Sequence, residues 1–232
     1  MPAIRIRDRD RGTWDLLGDP PGSRILVVLA GAGFAPARLR TEASRAAAVV
    51  AADAGADLCL AAGLEPSLVA GDLDSISQEA RERLGAARLF PSSDPDSNDL
   101  EKALALVSAR FGPEAEIALA AGGGVDGGRM DHTLANLGPL VREPHARISM
   151  VDGEGRTFAL RSGSATLEGL EGRQVSVLPW TLHGVEVSER GVLYPLDHAT
   201  LFLGGRGVSN RIADSAATIE VHDGVALVWV EA

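Results

Sequence analysis

LVAGDLDSI, residues 68–76, is a short apolar run that delivers two aspartates, Asp72 and Asp74, behind Gly71 and ahead of Ser75. Read as a strand and its exit, it points both carboxylates to one side, because residues two apart in an extended chain project to the same face. Two like charges held that close repel unless a cation lies between them, and Mg²⁺ is commonly satisfied by one or two carboxylates plus phosphate oxygens. A helix-type segment follows at 78–84. A strand that ends in acids and leads into a helix is the repeating unit of an α/β sheet.

The same alternation extends in both directions. Apolar runs at 25–30, 48–52, 88–90 and 117–121 precede helix-type segments after Pro36 and at 56–62, 99–109 and 131–141. This order predicts a mostly parallel, Rossmann-like sheet covered on both faces. Beyond 142–147 the helical pattern stops, and short β-type runs separated by glycine turns take over at 147–151, 156–160, 164–167, 174–179, 184–187, 200–203, 217–221 and 225–230. Such spacing predicts an antiparallel β-sandwich or barrel. Two domains are expected, an α/β domain over residues 1–144 and a β-sandwich domain over 145–232.

Composition narrows the function. A formal charge of −10 argues against a nucleic-acid groove, which would carry clustered Lys and Arg, and suits a protein that handles small molecules. The apolar run at 25–37 is too short for a bilayer and is broken by Gly31, Gly33 and Pro36, so no membrane span is expected. The first residues, MPAIRIRDRDRG, mix acids with bases and lack the apolar core of a signal peptide. The single cysteine, Cys59, has no internal partner for a disulfide, and a cytoplasmic location is the default expectation.

Ligands of open parallel sheets bind beyond the carboxyl ends of the strands. In this chain those places read Gly31-Ala32-Gly33, Asp53-Ala54-Gly55, Gly71 to Ser75, Asp94 to Asp99, and the glycine-rich stretch 122–128 that leads into Arg129, Asp131 and His132. Acids interleaved with glycine and an arginine suit a magnesium and polyphosphate site: glycines admit backbone N–H groups to phosphate, arginine grips it bidentately, and acids hold metal. Each piece also has an ordinary reading. Asp94 and Asp96 fit an Asx turn with Asn98 capping the helix that starts at Asp99, and His132 fits a helix start without chemistry. Gly31-Ala32-Gly33 followed by Pro36 lacks the third glycine of a dinucleotide fingerprint, which argues against an oxidoreductase.

Taken in order, these blocks resemble the thiamine pyrophosphokinase family. Its pattern of Ala-Asp-Gly-Gly-Ala, Gly-Asp-Phe-Asp-Ser, Asp-x-Asp-x-Thr-Asp before Lys-Ala-Leu, Gly-Gly-Arg-x-Asp-His-x-Leu-Ala-Asn and a late Ser-Asn is matched by ADAGA (52–56), GDLDS (71–75), DPDSND (94–99) before EKAL (101–104), GGRMDHTLANL (127–137) and GVSN (207–210). Ala54, Leu73 and Asn98 depart mildly from that pattern, and Arg211 stands where an acid is common.

The resemblance implies transfer of a pyrophosphoryl group from ATP to thiamine, giving thiamine pyrophosphate and AMP. It assigns Mg²⁺ to Asp72, Asp74 and Asp99, with Asp94 or Asp96 completing the shell, and places Asp53 and Gly71 on the nucleotide side. Arg129 would bind phosphate, and Asp131 would orient the substrate hydroxyl or accept its proton. Lys102 is either a phosphate-side cation or a solvated helix residue. Ser209 and Asn210 would meet the aminopyrimidine, with Tyr194 as the aromatic partner of the thiazolium. The resemblance also implies a homodimer. The alternatives are a related pyrophosphokinase acting on another alcohol, such as a hydroxymethylpterin, and a non-catalytic thiamine or nucleotide sensor.

Overall fold

The computed structural model describes residues 2–17, 24–31, 34–122, 129–142 and 147–232. Its contacts divide into an α/β unit, Pro20–Pro139 with Ala146–Gly153, and a β unit, Met1–Asp19 with Leu140–His145 and Glu154–Ala232. The expected boundary at 144/145 lies outside the described residues. The chain opens with strands β1 (Ala3–Asp8) and β2 (Gly12–Asp15), both in the β unit. Both units are therefore discontinuous in sequence.

The α/β unit runs β3 (Arg24–Val28), α1 (Pro36–Ala43), β4 (Ala46–Ala52), α2 (Gly55–Ala61), β5 (Leu68–Gly71), α3 (Gln78–Leu84), β6 (Leu89–Pro91), α4 (Asp99–Phe111), β7 (Glu116–Ala120), α5 (Met130–Arg142, the last turn counting with the β unit) and β8 (Arg147–Val151). The strands lie in the order β8-β7-β3-β4-β5-β6, and every neighbouring pair is parallel. Every residue of β3 and β7 is buried, as expected of central strands covered on both faces. At their amino ends Arg24 and Glu116 are register partners, with Arg24 Nε 3.4 Å from Glu116 Oε1. The chain moves outward from β3 through β4, β5 and β6 and then returns to β7 on the other side of β3. That reversal creates the crevice at the strands' carboxyl ends where open α/β sheets bind ligands.

The β unit adds β9 (Gly155–Glu168), β10 (Gln174–Pro179), β11 (Val185–Arg190), β12 (Leu196–Leu201), β13 (Asn210–Arg211) and β14 (Ala216–Glu231). Strands β9 and β14 pair antiparallel along most of their length, with a register break between Val221 and Val225. The first half of β14 also pairs with β11, which carries β12, and its second half pairs with β10, which carries β13. Two long strands thus run through both layers and bend where the ladder is interrupted, which closes the sandwich. Hairpin β1–β2 adds to β9 and contributes Ile4, Ile6 and Trp14 to a core shared with Phe158, Leu160 and Val228. The alternation Ile4-Arg5-Ile6-Arg7 is the signature of that strand.

The expected combination of a parallel α/β sheet and an antiparallel β-sandwich is observed. Cys59 packs fully buried under the α/β sheet, and desolvation pushes its thiol up to about 12. Among the described residues, no helix is long and apolar enough to cross a membrane.

Candidate metal and phosphate site

Three carboxylates converge at the carboxyl edge of the α/β sheet. Asp53 follows β4, Asp72 follows β5 and Asp99 opens α4; one oxygen of each lies within 4.8 Å of the others. Asp74 stands outside this group. Leu73 is buried and takes a left-handed backbone, φ 66°, so the chain turns instead of continuing extended and the side-to-side logic of a strand no longer applies. Asp72 Oδ1 accepts the Asp74 N–H at 3.1 Å, and Asp74 accepts the Ser75 hydroxyl at 2.8 Å.

Positive φ recurs around the site, at Asp53 (43°) and Ala121 (58°). Such backbone costs energy and tends to mark functional sites. Gly71, at φ 148°, lets the backbone of β5 pass Asp53, because a Cβ there would sit 3.0 Å from Asp53 Cβ. Gly31 is tighter still: its N–H donates to Ala121 O at 2.8 Å, and a Cβ would stand 2.0 Å from that oxygen.

The electrostatics of the three acids differ. Asp53 is 5% exposed, and its Oδ1 has no hydrogen-bond partner. Burial raises its carboxyl above the usual range, with the Asp99 charge adding to the rise. Asp72 is held below the usual range, first by the Asp74 N–H and also by the Lys102 ammonium. Lys102 is buried, with Nζ 3.6 Å from Asp72 Oδ2 and 3.5 Å from Asp99 Oδ1. It is therefore not a solvated helix residue. Leu100, Ala103 and Val107 form the buried face of α4, and Lys102 lies at its margin. A buried, unpartnered aspartate oxygen beside two further carboxylates is a donor set suited to a hard divalent cation.

The cluster borders a cavity of about 490 Å³ lined by Gly31, Asp53, Asp99, Gly122, Arg129 and Asn136, among others. Asn136, on α5, donates to Gly122 O at 2.6 Å and ties the helix to the end of β7. Arg129 makes a two-pronged pair with Asp131, Nε to Oδ1 at 3.2 Å and Nη2 to Oδ2 at 2.5 Å, both side chains exposed. That pair holds the Asp131 carboxyl below its usual range. Gly127, Gly128 and the rest of 123–128 lie outside the described residues, as do Ala32 and Gly33.

Asp94 and Asp96 are not in the cluster. Asp94 accepts the Asp96 N–H at 3.0 Å and the Ser97 hydroxyl at 2.6 Å, an Asx turn. Asn98 then caps α4 in a full capping box with Glu101, so the ordinary reading of this segment holds for its geometry. Asn98 therefore fills its cap position well.

In the β unit, Tyr194 and Ser209 are exposed, and Asn210 is buried. Asn210 Nδ2 donates to Glu189 Oε2 and Tyr194 O, each at 2.9 Å; its Oδ1 accepts from Tyr194 N at 3.0 Å and Arg211 N at 2.9 Å. Its amide is thus spent on the protein itself. Glu189 is 1% exposed, its Oε1 lacks a partner, and burial raises its carboxyl above the usual glutamate range. In the sequence the only sign of a buried Glu189 is that Val185-x-Val187-x-Glu189 continues an inward-facing period of two.

Two family models match in order: "Thiamin pyrophosphokinase, catalytic domain" over residues 39–151 and "Thiamin pyrophosphokinase, vitamin B1 binding domain" over residues 164–226. Thiamine pyrophosphokinase 1 of Oryza sativa subsp. japonica is 26% identical over 174 residues, 71% of this chain and 65% of the relative, so the chain spans about two thirds of that protein's length. Thiamine pyrophosphokinase of Bacillus subtilis is 27% identical over 76% of this chain and 83% of its own length. A crystal structure of thiamine pyrophosphokinase from Bacillus subtilis superposes with a TM-score of 0.75 at 23% identity, covering 90% of this chain and 99% of that one. With both family models matched in order and three carboxylates of its motifs gathered at one sheet edge, the chain belongs to the thiamin pyrophosphokinase family.

Proposed function

We propose that this protein transfers the terminal pyrophosphoryl group of ATP to the hydroxyethyl oxygen of thiamine, releasing AMP. The observation that carries the reading is the convergence of Asp53, Asp72 and Asp99, with Lys102, beside a cavity large enough for a nucleotide that Asp53 and Asp99 line. The alcohol oxygen forms a bond to the β-phosphorus and gives up its proton to solvent, the bond from that phosphorus to the bridging α,β-oxygen breaks, and AMP leaves. The protein's task is to align these groups and to offset the charge of the transferred group.

Asp53, Asp72 and Asp99 would hold Mg²⁺, which supplies charge neutralisation at the phosphate oxygens. Asp74, whose N–H donates to Asp72 and whose carboxylate accepts the Ser75 hydroxyl, would orient Asp72 from beside the cluster. Gly31 and Gly71 let the backbone at the sheet edge approach Ala121 and Asp53 closely. Arg129 grips phosphate, and Asp131 orients the guanidinium for it. Because Arg129 holds the Asp131 carboxyl below its usual range, Asp131 is a weakened base and serves as a positioning group. Ser209 and Tyr194 meet thiamine, and Asn210 holds the Tyr194 segment in place from within. A homodimer belongs to the same proposal, supported by the exposed Leu193, Tyr194, Phe202, Leu203 and Val208 of the β unit. A cytoplasmic setting, supported by a lone buried cysteine, belongs to it too.

The test is to incubate the protein with ATP, Mg²⁺ and either thiamine or a pterin alcohol and to identify the released nucleotide. AMP formed with thiamine alone is the expected result. AMP formed only with the pterin alcohol moves the acceptor, ADP replaces the reaction class, and absence of turnover with retained thiamine binding turns the protein into a sensor.

A further inference from the structure

Lys102 is the sole lysine of the chain; the remainder of its 22 Lys and Arg residues are arginines. A chain that otherwise uses arginine for every strong cation keeps an ammonium at one buried position, between Asp72 and Asp99. The two side chains differ physically. Arginine offers a rigid fork that locks carboxylates bidentately, whereas lysine is a compact point charge on a flexible stem. Lys102 also lines a second cavity, of about 270 Å³, with Phe90, Asp94 and Leu106.

Charge counting supplies the second half of the argument. Three carboxylates against one ammonium leave two formal negative charges in the cluster. One divalent cation balances them. The unpartnered Asp53 Oδ1 marks the side of the cluster that Lys102 does not serve. We propose that Lys102 is the resident counter-cation of this centre: it keeps the carboxylates gathered, limits the cluster to one divalent ion, and is a lysine because it must yield Asp72 and Asp99 to that ion. The inference rests on the metal assignment made above.

The experiment titrates the full-length protein with Mn²⁺ alone, without nucleotide, and counts bound ions by electron paramagnetic resonance. Wild type is expected to bind one Mn²⁺ per chain, lost in Asp72→Asn. Lys102→Met keeps the buried stem and removes the charge, so Mn²⁺ should bind about tenfold tighter, as follows from deleting a nearby positive charge. Lys102→Arg should bind Mn²⁺ about tenfold more weakly, because the fork holds the carboxylates. A merely structural lysine would weaken binding in both variants. A Lys102→Met that keeps its circular dichroism and binds Mn²⁺ no tighter overturns the proposal, and so does a wild type that takes two ions at the cluster. Should Lys102→Met fail to fold, Lys102→Arg decides alone, unchanged affinity overturning it. Wild type without any Mn²⁺ at the cluster overturns the metal assignment itself, and this inference with it.

Discussion

Replacing Asn210 by alanine tests whether this residue faces a ligand or holds the protein together. The side chain makes four hydrogen bonds, and its loss strands the Glu189 carboxyl, which is 1% exposed and already has one oxygen without a partner. A buried bond to a charged acceptor is worth about 1.5–3 kcal/mol, while the Tyr194 backbone groups recover much of their loss in water and add ~1 kcal/mol. The expected destabilisation is about 3–4 kcal/mol. It should also depend on pH. Burial raises Glu189 above its ordinary value, and the Asn210 amide pulls it partly back. A carboxyl raised in the folded state holds its proton more tightly there than in the unfolded chain, so its contribution is fully present below the unfolded value and is lost as pH rises through the folded one. Without the amide the folded value rises further, and the deficit should be smaller near pH ~5 than near pH ~8. Trp14, Trp180 and Trp229 all lie in the β unit, so tryptophan fluorescence during urea unfolding reports that unit selectively. A deficit below about 1 kcal/mol that is equal at both pH values would refute the reasoning and return Asn210 to the ligand surface.

The acids of the site sort by geometry. Asp53→Asn, Asp72→Asn and Asp99→Asn should each lower thiamine-dependent AMP release by about 10²–10³ with the fold intact, and Asp74→Asn by less than about tenfold. Equal losses at Asp53 and Asp74, measured as initial rates, would reject the cluster as drawn. Gly31→Ala forces a methyl group to within 2.0 Å of the Ala121 carbonyl, so β3 and β7 must part at their carboxyl ends. Thermal denaturation should register a loss of about 1–3 kcal/mol, with KM for ATP raised. Asp131→Asn should leave the pH profile of kcat unshifted while raising KM for ATP, since the Arg129 pair already keeps Asp131 ionised. A lost limb in that profile would make Asp131 the proton acceptor.

Much of the site was legible because chemistry and topology coincide in this fold. Strands of a parallel sheet all end at one edge, so acids and glycines just beyond apolar runs share an address wherever each strand sits in the sheet. That placed Asp53, Asp72 and Asp99 correctly in one neighbourhood. Their pairing was not legible, because it depends on one backbone angle. Leu73 turns left-handed, which brings the Asp74 N–H onto Asp72 Oδ1 while Asp72 stands beside Asp53 and Asp99 from neighbouring segments. Lys102 shows the same limit: its position on α4 was plain, but whether its ammonium met water or Asp72 depended on how the Leu100, Ala103 and Val107 face docked.

The linear sequence by itself determined the element types, the change from α/β to β character, the cap at Asn98 and the family, since these rest on periodicity and local motifs that act over a few residues. Tertiary structure alone decided that hairpin β1–β2 joins the β unit and that Asn210 is occupied by Glu189 and Tyr194. It also decided that one oxygen each of Asp53, Asp72 and Asp99 lie within 4.8 Å of one another. Each of these is a pairing between distant segments, and no local periodicity records which distant group a buried polar atom will meet.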